Sequence, residues 1–221
     1  MEIDFNGTLL NWQKLPFDLE GYVQPKYRPA FKKLKKMFKV ALEDKKLNIR
    51  RYIDAGANYG LTVPIMYDRC QSIECFEIRS DVFEYLEMNI ANNNFSEKTR
   101  AHNAGLSNRK GFAWHDNNHK SGLTRVRKQY KLGRKKCSLV TLDSFNFQDV
   151  DLIKIDVEGH EHEVLKGSKK TIQHSRPICI VEAKGVEKQK NVIDFFSSID
   201  YNCKLLNTKD FICVPNEKDY D

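Results

Sequence analysis

The pattern of apolar and polar residues along the chain changes repeatedly between the period of strands and the period of helices. Buried strands are predicted near residues 51–54, 72–77, 99–106, 138–142, 151–156 and 177–182. Helices are predicted near 60–69, 81–92, 157–173 and 188–199, the first confined by Pro64. Two strands near 201–206 and 210–214 close the chain. This alternation predicts an α/β fold with a mostly parallel, seven-stranded sheet and a C-terminal antiparallel hairpin.

The first 48 residues stand apart from this alternation. Residues 1–29 contain three prolines and scattered aromatic side chains, which indicates an irregular lead-in. Apolar residues then recur at helical spacing with lysines between them, which predicts an amphipathic helix over 30–46. We therefore expect an N-terminal extension, 1–48, and one α/β domain, 49–221.

Composition is that of a globular protein. The chain has 221 residues, 40% of them hydrophobic and 30% charged, so it is long enough to bury a core without metal or disulfide support. Neither an apolar run of about 18 residues nor a signal-peptide pattern is present, so we expect a cytoplasmic protein without a membrane span.

The net charge of +7 is unevenly distributed. Residues 24–51 contain eleven basic and two acidic side chains, and residues 120–136 contain eight basic and no acidic ones. The rest of the chain is therefore acidic. Such basic segments either attract an anionic substrate or partner, such as nucleic acid, or form solvated surface.

The six cysteines and the histidines do not have the spacing of a metal site. No C-x-x-C pair occurs, and the His160-Glu161-His162-Glu163 segment lacks the H-E-x-x-H spacing. We therefore assign no metal ligands, although a divalent cation that holds an acceptor oxygen stays open as an alternative, and we expect all six cysteines to be reduced.

A glycine-containing turn follows the first predicted strand of the domain. It runs from Asp54 to Gly60, and Gly56 and Gly60 allow a ligand to approach the backbone at the start of the next helix. Glu77 ends the second strand, 21 residues after Gly56, where an acidic residue can bind ribose hydroxyls. These features predict a nucleoside-binding site.

Three carboxylates follow two later strands. Asp156 and Glu158 come after the apolar run 151–155, and Glu182 ends the next strand. Ligands bind at the carboxyl ends of parallel strands, so these groups are candidates for holding an acceptor or removing its proton. His160 is a further candidate, while the alternative for one of the carboxylates is a cap on a helix or loop.

Together these segments resemble the FkbM family of S-adenosylmethionine (SAM)-dependent methyltransferases over residues 50–185. The resemblance rests on IDAGANYG, CFEIRSDVFEYLEMNIANNN, NAGLSN, LVTLDSF, LIKIDVEGHEHEVLKGSKKTI and PICIVEA, which occur in the order of the family. It implies a Rossmann-like class I fold, SAM as cofactor and, for most members, methyl transfer to a hydroxyl oxygen. Ile78 is a departure, because the family usually has proline at this position.

The resemblance also implies roles for individual residues. The loop that contains Asp54, Gly56, Ala57, Asn58 and Gly60 matches the segment that holds the methionine end of the cofactor. Glu77 matches the ribose-binding acid, and Asn103 and Ala104 match the region near the adenine. Asp156 and Glu158 match the carboxylates beside the transferred methyl group.

The sequence defines the methyl acceptor less closely than the cofactor. Trp114, His115 and Ser121 lie in a segment expected to overhang the site, and Lys184 follows the strand that ends at Glu182, so all four are candidate substrate contacts. The resemblance favours a hydroxyl on a sugar, glycan or small metabolite. The alternatives are an RNA methyltransferase that uses segments 24–51 and 120–136 to bind phosphates, and a binding module without activity. The oligomeric state stays open.

Overall fold

The computed structural model describes residues 2–5, 8–12, 38, 48–116 and 124–217. The chain starts with β1 (Glu2–Phe5), β2 (Thr8–Asn11), β3 (Ile49–Ala55), α1 (Val63–Met66), β4 (Cys70–Phe76), α2 (Ser80–Asn92) and β5 (Thr99–His102). Next come β6 (Gly105–Leu106), β7 (Gly111–His115), β8 (Val126–Arg127) and β9 (Lys135–Val140). The chain continues with β10 (Val150–Ile155), α3 (Glu161–Gly167), α4 (Lys169–Ser175), β11 (Ile178–Glu182), α5 (Val186–Ser197), β12 (Tyr201–Leu205) and β13 (Asp210–Pro215).

Seven strands form the main sheet in the order β12-β13-β11-β10-β3-β4-β5. The strands from β11 to β5 are parallel, and β13 runs antiparallel to both of its neighbours. The predicted α/β fold with a closing antiparallel hairpin is therefore confirmed. Apolar side chains cover both faces of the main sheet. Successive residues of a strand point to opposite faces, and the neighbours Leu152 and Ile153 of β10 belong to different core clusters.

A second sheet of four strands, β6-β9-β7-β8, lies beside the main one. The sequence predicted one strand over 99–106, but the structure divides it. Thr99–His102 extends the main sheet, and Gly105–Leu106 pairs with β9 in the second sheet. The change of sheet follows Asn103 and Ala104, so the cofactor segment predicted there forms the connection between the two sheets.

The helix predicted to end near 173 is also divided. Helices α3 and α4 meet at Ser168, just after a glycine packed against the loop that follows β6. A Cβ at Gly167 would lie 1.9 Å from the carbonyl oxygen of Ser107. Close backbone approach therefore determines where α3 ends, and a periodicity pattern does not report such a contact.

The irregular lead-in predicted over 1–29 is wrong for its first residues, because β1 and β2 pair as an antiparallel hairpin. The described N-terminal residues pack on the domain. Leu10 and Trp12 belong to the core, and two hydrogen bonds join Asn11 to Asn93 after α2. Phe38 is helical and buried against Tyr52, with ring centroids 5.7 Å apart. The rest of the helix predicted over 30–46 lies outside the described residues.

The expectation that all six cysteines are reduced is wrong for one pair. Cys203 and Cys213 are cross-strand partners in β12 and β13, with Cα atoms 4.1 Å apart, and they form a disulfide. The other four cysteines, Cys70, Cys75, Cys137 and Cys179, lie outside this disulfide and are buried. A pairing of this kind depends on strand register, which cysteine spacing does not reveal.

No helix within the described residues is both long enough and apolar enough to cross a bilayer.

Candidate active site

The glycine loop leaves β3 and passes between the ends of its two neighbouring strands. The amides of Gly56 and Ala57 both donate to the carbonyl oxygen of Phe76 on β4, at 3.0 Å. On the other side, a Cβ at Gly56 would lie 2.0 Å from the carbonyl oxygen of Asp156. Gly56 and Gly60 have φ of 81° and 82°, which favours glycine. The loop is therefore held closely against β4 and β10.

A buried ion pair between Lys154 and Asp54 supports this loop from the interior of the domain. The Asp54 carboxylate is completely buried, accepts hydrogen bonds from Lys154 at 2.9 Å and from the Thr62 hydroxyl, and Lys154 also donates to the carbonyl oxygen of Gly56 at 3.3 Å. Burial alone would lower the pKa of Lys154, but attraction to Asp54 and Asp156 raises it above its ordinary value. Asp54 therefore faces the interior, where it positions the loop.

Glu77 lies immediately after β4 and faces the glycine loop. Its two carboxylate oxygens accept hydrogen bonds from the amides of Asn58 and Arg79, each at 2.9 Å. Burial raises the pKa of Glu77 to about 6, although these hydrogen bonds oppose the shift. Asn103 is exposed and donates its side-chain amide to the carbonyl oxygen of Glu77 at 3.0 Å. Ala104 follows it and is buried. The predicted ribose and adenine segments are therefore neighbours.

The carboxyl ends of β10 and β11 bring three carboxylates together. Oxygen atoms of Asp156, Glu158 and Glu182 lie within 4.8 Å of one another, close enough to share a metal ion. Two lysines already occupy this cluster. Lys184 contacts Glu158 at 2.9 Å and Glu182 at 2.8 Å, and Lys209 contacts Glu182 at 2.5 Å.

The three carboxylates have different environments. Burial raises the pKa of Glu182, but hydrogen bonds from Lys184 and Lys209 outweigh it and bring the pKa to about 2. Asp156 forms no side-chain hydrogen bond or ion pair with any residue that the structure describes. Burial, together with the charges of Glu182 and Glu158, raises its pKa even though Lys154 opposes the shift. Asp156 is therefore the carboxylate best suited to accept a proton.

The predicted His160 site is more enclosed. Its Nε2 atom lies 2.9 Å from the Ser107 hydroxyl, and burial lowers the pKa of His160. In the same segment, Glu161 accepts from the amide of Gly159 at 2.6 Å and so closes the turn before α3. Among the described residues, the side chain of His160 bonds to Ser107, just after β6 of the second sheet, and to none of the three carboxylates.

The candidate substrate contacts differ in how exposed they are in the structure. His115 is only 1% exposed and points into the second sheet, so a substrate in solution cannot reach its ring. Trp114, its neighbour on β7, is half-buried and contacts Tyr130 with ring centroids 6.3 Å apart. Lys184 is exposed and lies in the carboxylate cluster. Ser121 lies outside the described residues.

Sequence reasoning missed three polar residues of this region: Lys154, Thr62 and Lys209. An ion pair of Lys154 could have been predicted from the sequence, because a lysine inside an apolar strand is rarely buried without a charged partner. Thr62 and Lys209 carried no comparable signal, since they reach the site only through tertiary contacts.

The sheet order, the reversed strand β13 and the glycine loop define an α/β protein of the Rossmann-like methyltransferase class. The sequence matches the model of the methyltransferase FkbM domain over residues 54–203, and the chain therefore belongs to this family. Among curated proteins, none matches the chain by sequence.

Solved structures of similar fold include an FkbM methyltransferase from Methylobacillus flagellatus, with a TM-score of 0.59 and 14% identity. The match covers 80% of this chain and 47% of that protein, so this chain spans about half the length of its relative. An rRNA methylase from Streptococcus thermophilus has a TM-score of 0.50 and 12% identity, with 84% and 94% of the two chains covered. A Streptococcus mutans protein in complex with S-adenosylhomocysteine (SAH) has a TM-score of 0.52 and 10% identity, with 80% and 93% covered.

Proposed function

We propose that the chain transfers a methyl group from SAM to a hydroxyl oxygen on a sugar, glycan or small metabolite. The observation that carries this proposal is the carboxylate of Asp156, which forms no hydrogen bond or ion pair with any described side chain, while Glu158 and Glu182 are bound by lysines. The backbone of Asp156 lies against the glycine loop. A free carboxylate with a raised pKa is suited to take the proton of an acceptor hydroxyl.

The residues present fit SAM by their chemistry. Each carboxylate oxygen of Glu77 has lone pairs left over, which can accept hydrogen bonds from the ribose hydroxyls. Asn103 and Ala104 border the position proposed for adenine. The loop that contains Gly56, Ala57, Asn58 and Gly60 would hold the methionine end, with Asp54 positioning it from below. The S. mutans protein of similar fold was solved with SAH, which is SAM without its methyl group. When bound, SAM supplies an electrophilic methyl group on a positively charged sulfur.

The acceptor side follows from the carboxylate cluster. Asp156 would accept the hydroxyl proton as the acceptor oxygen is methylated. Lys184, held between Glu158 and Glu182, would donate a hydrogen bond to the acceptor and fix its orientation. Orientation is an effective source of acceleration for a two-substrate reaction. His160 would act through its hydrogen bond to Ser107 and is assigned to positioning.

The test separates binding from chemistry. We expect calorimetry to detect SAM binding by the wild type and by Asp156→Asn, and we expect the variant to lose about 100-fold or more of its turnover. Asp194→Asn, the same change at an exposed position of α5, is the matched control and should keep both. Absence of SAM binding by the wild type would leave a binding module without activity as the remaining alternative.

The second candidate acceptor is a ribose hydroxyl of RNA. It is favoured by the second sheet and its connections, where residues 105–116 and 124–140 contain nine basic side chains and one acidic side chain. One protein of similar fold is an rRNA methylase. Offering labelled SAM with separate RNA, glycan and metabolite pools distinguishes the candidates, because only the pool that contains the acceptor becomes labelled.

The division of the chain is also proposed. The family match begins at residue 54, within β3 (Ile49–Ala55), which supports a methyltransferase domain that starts with this strand and extends over 49–221. Residues 1–48 would then be an extension that packs on this domain through Leu10, Trp12 and Phe38.

A further inference from the structure

We propose that the outer face of the second sheet binds single-stranded nucleic acid. This outer face consists of Phe112 and Trp114 on β7, Lys136 on β9, and Tyr130 from the connection between β8 and β9. The proposal goes beyond methyl transfer, because it concerns binding alone and can be tested without SAM.

The side chains of β7 alternate between two environments. Ala113 and His115 point inward, and Ala113 packs with Cys137 and Leu139 in a small core. Phe112 and Trp114 therefore point to the opposite side. Side chains two residues apart on a strand repeat at roughly 6.7 Å. The face thus presents two successive aromatic rings along one strand.

These aromatic rings are accessible and lie next to a cation. The side chains of Phe112 and Tyr130 are 62% and 63% exposed, which leaves much apolar area in water. Lys136 is the cross-strand partner of Trp114, and its ammonium group lies 4.2 Å from the centroid of the Phe112 ring. Such a surface can stack on bases while its cation meets a phosphate.

The charge of the surroundings selects a polyanion. The one acidic side chain in the described second-sheet segments, Asp116, is bound by Arg127 and Arg134. Arg127, Arg134 and Lys135 are paired with carboxylates. The six other cations of these segments form no ion pair with any described residue: Arg109, Lys110, Arg125, Lys128, Lys131 and Lys136. Positive charge that is not neutralised within the protein attracts phosphate and releases counterions on binding.

The combination of exposed rings and cations favours unpaired bases. A duplex hides the faces of its bases within the stack, and an acidic polysaccharide has no π-face. Stacking on Phe112 and Trp114 requires bases that are free to turn toward the protein. Single-stranded nucleic acid therefore fits both parts of the surface.

The second sheet that carries the outer face lies beside the proposed cofactor site. The inner side of the same sheet packs on Ile78, the residue after Glu77, and a Cβ at Gly105 would lie 2.7 Å from the Ile78 side chain. Strand β6 starts directly after Asn103 and Ala104. A strand bound on the outer face would therefore lie on the side of the second sheet that faces away from Ile78 and Glu77.

The experiment measures binding of fluorescently labelled 12-nucleotide single strands, oligo(U) and oligo(A), to the full chain without SAM. We expect Phe112→Leu and Trp114→Leu each to weaken binding about five- to fiftyfold, because they keep apolar bulk but remove the ring. Trp114→Phe should restore most of the affinity. Lys136→Gln should reduce the slope of log affinity against log salt by about 0.7.

Two matched controls lie on β12, at the far edge of the main sheet. Lys204→Gln and Leu205→Ala change an exposed cation and an exposed apolar side chain, and both should bind as the wild type does. Intrinsic fluorescence gives an independent measurement, because Trp12 is 1% exposed and Trp114 is the other tryptophan. Stacking should quench the emission, and Trp114→Phe should abolish that quenching.

The proposal is overturned if Phe112→Leu and Trp114→Leu bind as tightly as the wild type, or if duplex RNA or heparin binds equally well. Its failure is distinguishable from failure of methyl transfer. Asp156→Asn should bind the oligonucleotides normally, and every variant of the outer face should keep its affinity for SAM.

Discussion

At the scale of single residues, neighbouring lysines decide which carboxylate is available for chemistry. Asp156, Glu158 and Glu182 lie within one cluster, yet Lys184 and Lys209 hold the glutamates. Their hydrogen bonds bring the pKa of Glu182 to about 2, while burial raises that of Asp156. Carboxylates of similar chemistry therefore have different proposed roles because their cation partners differ.

If Glu77 binds the ribose as proposed, SAM binding is expected to depend on pH. Its pKa of about 6 means that the carboxylate is ionised above this pH and protonated below it. Protonation removes an acceptor for the ribose hydroxyls, so we expect calorimetry to give a SAM dissociation constant about tenfold higher at pH 5 than at pH 7. The control is Glu77→Gln, which should bind more weakly and lose this pH dependence. An unchanged pH dependence in the variant would contradict the assignment.

The same raised pKa acts on stability in the opposite direction. Protonation of Glu77 is easier in the folded chain than in the unfolded one, so its contribution to the free energy of unfolding is present below about pH 4.5. That contribution is lost as the pH rises through about 6.

Gly56 provides a prediction about the glycine loop. Alanine there would place a Cβ 2.0 Å from a backbone carbonyl oxygen, in addition to the strain of φ at 81°. We expect Gly56→Ala to abolish measurable SAM binding and to lower the melting temperature, because the backbone of the loop or of β10 must move.

The matched control is Gly133→Ala. Gly133 has φ of 87°, but no atom lies within 4 Å of its added Cβ, so this variant isolates the conformational cost of about 1 kcal/mol. Equal loss of stability in both variants would show that the contact with β10 is unimportant.

At the scale of elements, the terminal hairpin shows how pairing follows register. Strand β13 lies between β11 and β12, and Cys213 is opposite both Cys179 and Cys203. The bond to Cys203 links two strands whose only chain connection is the turn between them. It therefore restricts the unfolded chain over a separation of 10 residues.

We expect reduction of this bond to lower the free energy of unfolding by about 2–3 kcal/mol. Denaturant unfolding with and without reductant measures the difference, and thiol titration of the unfolded, oxidised chain should find four free cysteines. The double variant Cys203→Ser, Cys213→Ser should be insensitive to reductant. Six titratable thiols in protein kept under air would contradict the pairing.

At the scale of the whole molecule, the described N-terminal residues share the core of the methyltransferase domain. Trp12 is 1% exposed and belongs to the same apolar cluster as Tyr52 and Leu86. The proposed extension and domain are therefore expected to unfold together.

We expect Trp12→Ala to lower the free energy of unfolding by about 3–5 kcal/mol in one cooperative transition. Leu205→Ala, at a position that is 49% exposed, should change it by less than about 0.5 kcal/mol. Two separate transitions in the wild type would instead indicate that the N-terminal residues fold independently.

Most of the main sheet could be predicted from the sequence, because buried strands and amphipathic helices have different periods. The positions of Gly56, Glu77, Asp156 and Glu182 at strand ends follow from that order. The division at Ser168 and the burial of His115 could not be predicted, because both depend on which distant segments pack together.

The sequence by itself determined the α/β class, the order of the main-sheet strands along the chain and the family, since these follow from local periodicity and motifs. It did not determine the hairpin β1-β2, the second sheet or the division of the helix at Ser168. Only the tertiary structure decided which groups pair: Lys154 with Asp54, Lys184 with two glutamates, and Cys203 with Cys213. It also decided that Phe112 and Trp114 share an outer face. The physical reason is that ion pairs, disulfides and burial depend on distances between residues far apart in the chain, and those distances are set by sheet register.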